Sequence, residues 1–138
     1  AMFPTKGQAV DEYNDMRWNL PASLQLEVWF TKPGDKKENG AVNWAAHILT
    51  PKTKHETHYF WASGVSKESP LDDKTHLNFL LQAFNEEDKP MIEACYERMS
   101  GNEFWDMKPV VLKVDSAAVR ARRTLNNAIA HEERSDNS

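Results

Sequence analysis

The sequence predicts an α+β domain, with helices packed on one side of an antiparallel sheet, and three observations lead there. In the first half, apolar residues alternate with polar ones at the two-residue period of strands that turn one face to a core. From Thr75 to Met99 they recur at intervals of three and four, as one face of a helix requires. Beyond Asp115 a second helical pattern opens behind a capping side chain. With 138 residues, 40% hydrophobic and 28% charged, the chain fits a single domain over 1–138, with order expected from about residue 12 to about residue 132.

Taken in order, Trp18 and its neighbours predict a first strand that breaks at Asn19-Leu20-Pro21. Leu24, Leu26, Val28 and Phe30 alternate with Gln25, Glu27 and Trp29, which gives a second. Thr31 to Gly40, with Pro33-Gly34 and Asn39-Gly40, is a polar turn region joining antiparallel strands. In the third strand Val42, Trp44, Ala46 and Ile48 share one face, and Asn43, Ala45, His47 and Leu49 the other. A turn at Thr50 to Lys54 leads to a return strand over Glu56 to Ser63, rich in β-formers. Gly64 to Lys74 is a loop. The helical stripe that follows is Leu77, Leu80, Leu81, Phe84, Met91, Ile92, Cys95 and Met99, and Asp88 falls on it. A carboxylate inside a buried stripe calls for a partner or a metal. Pro90, two residues on, removes the amide that would bond the Glu86 carbonyl, so the backbone is irregular at the same place.

Ser100-Gly101 stops that helix, and Pro109 to Val114 reads as a short apolar strand. Asp115 then caps a last helix, stapled by Val114 against Val119, with Ala118, Ala121, Leu125 and Ala128 or Ile129 as its buried face. Arg120, Arg122 and Arg123 face solvent, and 131–138 is expected to fray.

Composition narrows the function classes. A net charge of −4 and a pI near 5.7 offer no basic field for phosphates or an anionic membrane surface, so neither nucleic acid nor membrane is an expected partner. The one cysteine, Cys95, rules out an intramolecular disulfide, a four-cysteine cluster and a Rieske centre, and its stripe position predicts an inert core thiol. With neither a secretory leader pattern nor an apolar run of about 18 residues, a cytoplasmic location is expected. His47 and His58 would approach each other if the hairpin register put them on one face. Trp44, Phe60, Trp61 and Phe84 are candidates to line a pocket for an aromatic ligand, with His47 and His58 as its polar groups. Alternation forbids Phe60 and Trp61 from both pointing inward.

Four separated strings carry a family resemblance: Leu49-Thr50-Pro51, Thr57-His58-Tyr59-Phe60-Trp61, Glu87-Asp88-Lys89-Pro90-Met91-Ile92-Glu93-Ala94 and Val114-Asp115-Ser116-Ala117-Ala118-Val119-Arg120-Ala121-Arg122-Arg123. In order and spacing they resemble the catalytic part of Rieske-type oxygenases, the vanillate O-demethylase oxygenase and dicamba-demethylase group, from about Trp18 to Ala130. The resemblance implies a START-like helix-grip fold, a curved sheet around a long helix enclosing a small-molecule cavity. It implies mononuclear iron held by two histidines and a carboxylate, with Asp88 at the carboxylate position. It also implies an aromatic substrate for hydroxylation or O-demethylation, a reductase or further oxygenase subunits as partners, and an oligomer, trimeric in complete enzymes. The family's His-x4-His pair and its Rieske cysteines do not occur here, so no 2Fe-2S cluster is expected, and iron binding and catalysis by this chain alone are not expected either. Where relatives carry Gln this chain has Cys95-Tyr96. Two other readings stand beside the oxygenase part: a non-catalytic START-like binding module, and an assembly domain for an oxygenase subunit. For Asp88 the plain alternative is a surface acid paired with Arg98 or Arg122.

Overall fold

The computed structural model describes residues 7–67, 69 and 71–136. Four strands, β1 (Asp11–Asn19), β2 (Ser23–Thr31), β3 (Ala41–Pro51) and β4 (Thr57–Val65), form an antiparallel sheet in chain order. The register sets Trp18 against Leu24, Val28 against Asn43, and His47 against Trp61. Because directly opposed residues share a face, Leu24, Leu26, Val28, Phe30, Asn43, Ala45, His47, Tyr59 and Trp61 lie together on one side. Trp29, Val42, Trp44, Ile48, His58 and Phe60 lie on the other. The β2 and β3 segments carry the buried apolar residues Val28, Phe30 and Val42, where alternation is cleanest in the sequence.

The β2–β3 connection folds back through a 3-10 turn, Lys37–Asn39. Lys37 pairs with Asp15 of β1 and sits 5.2 Å above the Trp29 ring, so one cation ties the turn to two strands. Gly34, at φ 78°, donates its amide to Asp11 at 2.8 Å. A peptide in the cis form joins Leu20 and Pro21 between β1 and β2.

The Cα packing divides the chain into two compact units, one holding the sheet with the chain from Ala121 onward, the other running from Leu71 to Arg120. In the second unit the helical stretch is three pieces end to end: α1 (Asp73–Leu81), a π-helical segment (Gln82–Asp88) and α2 (Lys89–Met99). Irregularity falls where the sequence placed it. Pro90 occupies the first turn of α2, where a missing amide costs least, and the Lys89 amide reaches back to the Phe84 carbonyl, five residues earlier. Ser100 at φ 50° and Gly101 at φ 81° end α2 in left-handed conformations, as the Ser-Gly stop predicts.

Asp72 caps α1, accepting the Thr75 amide at 2.9 Å and its hydroxyl at 2.7 Å, and these bonds hold its carboxyl below the usual range. Asp72→Ala is expected to open the first turn of α1, read as faster amide hydrogen exchange at Thr75 and His76 with the sheet amides unchanged.

Several expectations are overturned. Pro109 to Val114 forms no strand: these residues pair with no other strand among the described residues, and β propensity without a neighbour does not make one. Val114 is 83% exposed and forms no staple. The last helix does begin directly after Asp115, as expected, and the Asp115 carboxylate accepts the Leu112 amide at 2.8 Å across a 3-10 turn, Lys113–Asp115. The last helix, α3, spans Ser116–Asp136. Along it Val119, Ala121, Leu125 and Ala128 are half-buried, whereas Ala118 and Ile129 are exposed. The stripe on α1 and α2 is largely exposed, Ile92 at 63%, and Cys95 is an exposed thiol rather than a core one.

Candidate functional site

Polar groups gather on the sheet face that carries Leu24, Leu26 and Val28. His47 of β3 is buried, and its Nδ1 lies 2.6 Å from the Tyr59 hydroxyl of β4, the two rings stacked at 5.9 Å between centroids. One strand pair positions both, since His47 opposes Trp61 and Tyr59 opposes Leu49 on the same side. Burial alone lowers the His47 pKa below its ordinary value. A histidine held neutral in the fold and free to ionise when unfolded contributes stability that is present above the unfolded pKa, about 6.5, and lost as pH falls through and below it. Urea midpoints are therefore expected to fall between pH 7.5 and pH 5, with a shallower fall in His47→Gln.

Four residues back along the same face is Asn43, 4% exposed, whose amide oxygen and nitrogen both lack a hydrogen-bond partner among the described residues. Nothing in the sequence reading singled it out. The available signal was an asparagine between Val42 and Trp44, in a run where β-formers are the rule. A buried polar group is nearly always bonded, so this amide is an exception that calls for an explanation.

The remaining candidates divide between faces. His58 opposes Thr50, which puts it on the side away from His47, so the two histidines do not meet: the hairpin pairs residues of like number parity, and 47 and 58 differ. Phe60, 57% exposed, lies on the His58 side with their rings 5.9 Å apart, while Trp61 is half-buried beside His47, so the two aromatics do point opposite ways. Trp44 borders a shallow, open depression on the His58 side, with Gln25, Ala46, Ile48, Ala62 and Gly64. The six residues named as pocket candidates thus do not form one pocket on the sheet: His47 and Trp61 share a face, Trp44, His58 and Phe60 the other, and Phe84 sits half-buried on the π-helical segment.

Asp88 ends that π-helical segment, exposed and in no ion pair among the described residues, so pairing with Arg98 or Arg122 is not what holds it. No group of three or more His, Cys, Asp or Glu side chains among the described residues comes close enough together to hold a metal ion. One carboxylate by itself does not fit an iron site.

Residues 1–131 match the model of the vanillate O-demethylase oxygenase C-terminal domain. The chain belongs to this family. Among curated relatives of this vanillate O-demethylase oxygenase C-terminal domain, it is 35% identical over 127 residues to the oxygenase component of chloroacetanilide N-alkylformylase from Rhizorhabdus wittichii, spanning 91% of this chain and 36% of that protein. To the oxygenase component of dicamba O-demethylase from Stenotrophomonas maltophilia it is 33% identical over 118 residues, 84% of this chain and 35% of the relative. The chain therefore spans about a third of the length of these relatives. Crystal structures of dicamba monooxygenase superpose with TM-scores of 0.77, bound to 3,6-dichlorosalicylic acid, and 0.74, with non-haem iron and dicamba, each at 30% identity. These cover 90% and 93% of this chain and 37% and 40% of those chains. The α+β class read from alternation and helical period is the class of these neighbours.

Proposed function

We propose that this chain is the substrate-holding C-terminal portion of an iron-dependent oxygenase that acts on an aromatic small molecule carrying an O-alkyl or N-alkyl group. The reaction class follows from family membership. The observation that carries a binding role for these particular residues is the buried Asn43 amide on the same face as the His47–Tyr59 pair, among Leu24, Leu26, Val28 and Trp61. Ligand sites have this make-up: mostly apolar wall with a few placed polar groups. An amide offers two N–H donors and a carbonyl acceptor, enough to meet a carboxylate, carbonyl or ether oxygen and fix which end of a flat ligand lies where. Apolar neighbours would meanwhile exclude water from the ring. Orientation of this kind is worth much of a barrier when the reacting bond must be brought to an oxidant.

Asp88 is proposed as the carboxylate that this portion contributes to the metal. A π-helical segment ending on it supports the reading, because such segments are frequent at functional sites. The other ligands would come from outside the described residues. Further oxygenase subunits or a reductase are the partners that fit an oxygenase component. No described helix is long and apolar enough to cross a membrane, and a cytoplasmic setting fits the exposed thiol of Cys95.

Calorimetric titration of the chain with a methoxybenzoate tests the binding role. Saturable binding with Kd below about 1 mM, some 4 kcal/mol of binding free energy, is expected. Heats no larger than those of an alkyl ammonium salt of the same size would overturn it.

A further inference from the structure

The Asn43 side chain has a donor end and an acceptor end, and both are buried without a hydrogen-bond partner among the described residues. Its nitrogen carries two N–H groups and its oxygen two lone pairs, so a group that meets only one end leaves the other still unmet. The register sets it in a row with Asn14 of β1, Val28 of β2 and Val65 of β4, and Ala41 and Ala45 flank it on the same side of β3. Asn14 turns its own amide nitrogen to Glu12, at 2.9 Å, and the rest of this surround is aliphatic, with no side-chain donor or acceptor to give.

Charge restricts what could meet this amide. The four strands hold a single Lys or Arg, Arg17, and its register partner Gln25 puts it on the opposite side of the sheet from Asn43. The one formal charge that the strands place on the Asn43 side is Glu12, an anion, opposite Phe30. His47, which could become a cation there, is kept neutral by burial near neutral pH. A carboxylate brought to Asn43 would therefore be buried with no cation from the sheet to pair with, which is costly. It would also accept only, taking the Nδ2 hydrogens and setting its own lone pairs against those of Oδ1. An ether or ester oxygen avoids the charge and still leaves Oδ1 unmet. A carboxamide or a lactam serves both ends: its carbonyl accepts from Nδ2 while its N–H donates to Oδ1, two parallel bonds in one plane and no net charge.

We propose that Asn43 selects an uncharged aromatic ligand whose carboxamide or lactam edge pairs with both ends of its side chain, in preference to an aromatic carboxylate of the same shape. The inference rests on the substrate-holding reading given above and narrows its ligand class. Three ligands of nearly equal size separate the causes: para-methoxybenzamide, para-methoxybenzoate, and the methyl ester of that acid, which is uncharged but has no N–H. In calorimetric titrations of the chain at pH 7.5 the benzamide is expected to bind at least tenfold more tightly than the benzoate, and about tenfold more tightly than the ester, the gain expected from meeting one more buried acceptor. In Asn43→Leu the lead of the benzamide over the ester is expected to vanish. A benzoate that binds as tightly as the benzamide, an ester level with the benzamide, or a benzamide lead that survives in Asn43→Leu would each overturn the inference and leave the substrate-holding reading in place. Binding of none of the three would overturn both. Far-UV circular dichroism confirms that the variant keeps its sheet, and should it fail to fold, the order of the three ligands on the wild-type chain decides alone.

Discussion

Gly40→Ala is expected to destabilise the protein by about 3 kcal/mol, the upper end of what overpacking costs. A Cβ at Gly40 would stand 2.4 Å from the Phe30 carbonyl oxygen, 2.9 Å from its carbon and 2.7 Å from Cγ2 of Thr31. Two of these three atoms are backbone of β2, whose position is set by pairing with β3 immediately afterwards, from Phe30 with Ala41. A flexible side chain could swing aside; a paired strand cannot. Phe30 and Thr31 are buried, so the strain has no exit to solvent. Conformation is not the cause, because Gly40 has φ −91°, open to any residue. Gly34→Ala is the matched control: nothing lies within 4 Å of its added Cβ, and the cost there comes from φ 78° alone, roughly 1 to 2 kcal/mol. Urea unfolding measures both. A Gly40→Ala midpoint equal to that of wild type would mean that the chain does not enter β3 as closely against β2 as the structure has it.

How much of this was legible in the sequence depended on whether a feature is local. Alternation in Leu24 to Phe30 and Val42 to Ile48 gave β2 and β3, because a two-residue period is a property of the segment itself. Pro90 gave the irregular helix, because a missing amide acts within one turn. Register was not local. Whether His47 and His58 meet is decided by the parity of the pairing, Pro51 with Thr57, and a loop one residue longer would have reversed the answer. Coverage was not local either. Leu77, Met91 and Ile92 have the spacing of a buried stripe, and spacing names a face without naming what lies against it; here the face is open. Asp88 illustrates the same limit. Its match to the family string stands at the sequence level, while Asp88 itself is exposed, with Met91 and Ile92 of the stripe exposed beyond it and Phe84 half-buried before it.

Asn43→Leu is expected to move stability and binding in opposite directions. Leucine is close to asparagine in shape, and the side chain stands between Val28 on β2 and Val65 on β4, so the replacement fills the same space with apolar surface in an apolar row. In the wild-type fold both amide atoms are buried without partners, which costs roughly 1 to 3 kcal/mol that leucine would not incur. The variant should therefore unfold at higher urea, by a stability gain on the order of 1 to 2 kcal/mol after the β preference of each residue is considered. Aromatic carboxylate binding should weaken at least tenfold, because a ligand oxygen brought to that face would lose its one buried amide and be desolvated for nothing. A residue kept at a cost to folding is the expected signature of a functional site, and this pair of measurements tests it directly. Lower stability together with unchanged affinity would assign Asn43 to packing alone.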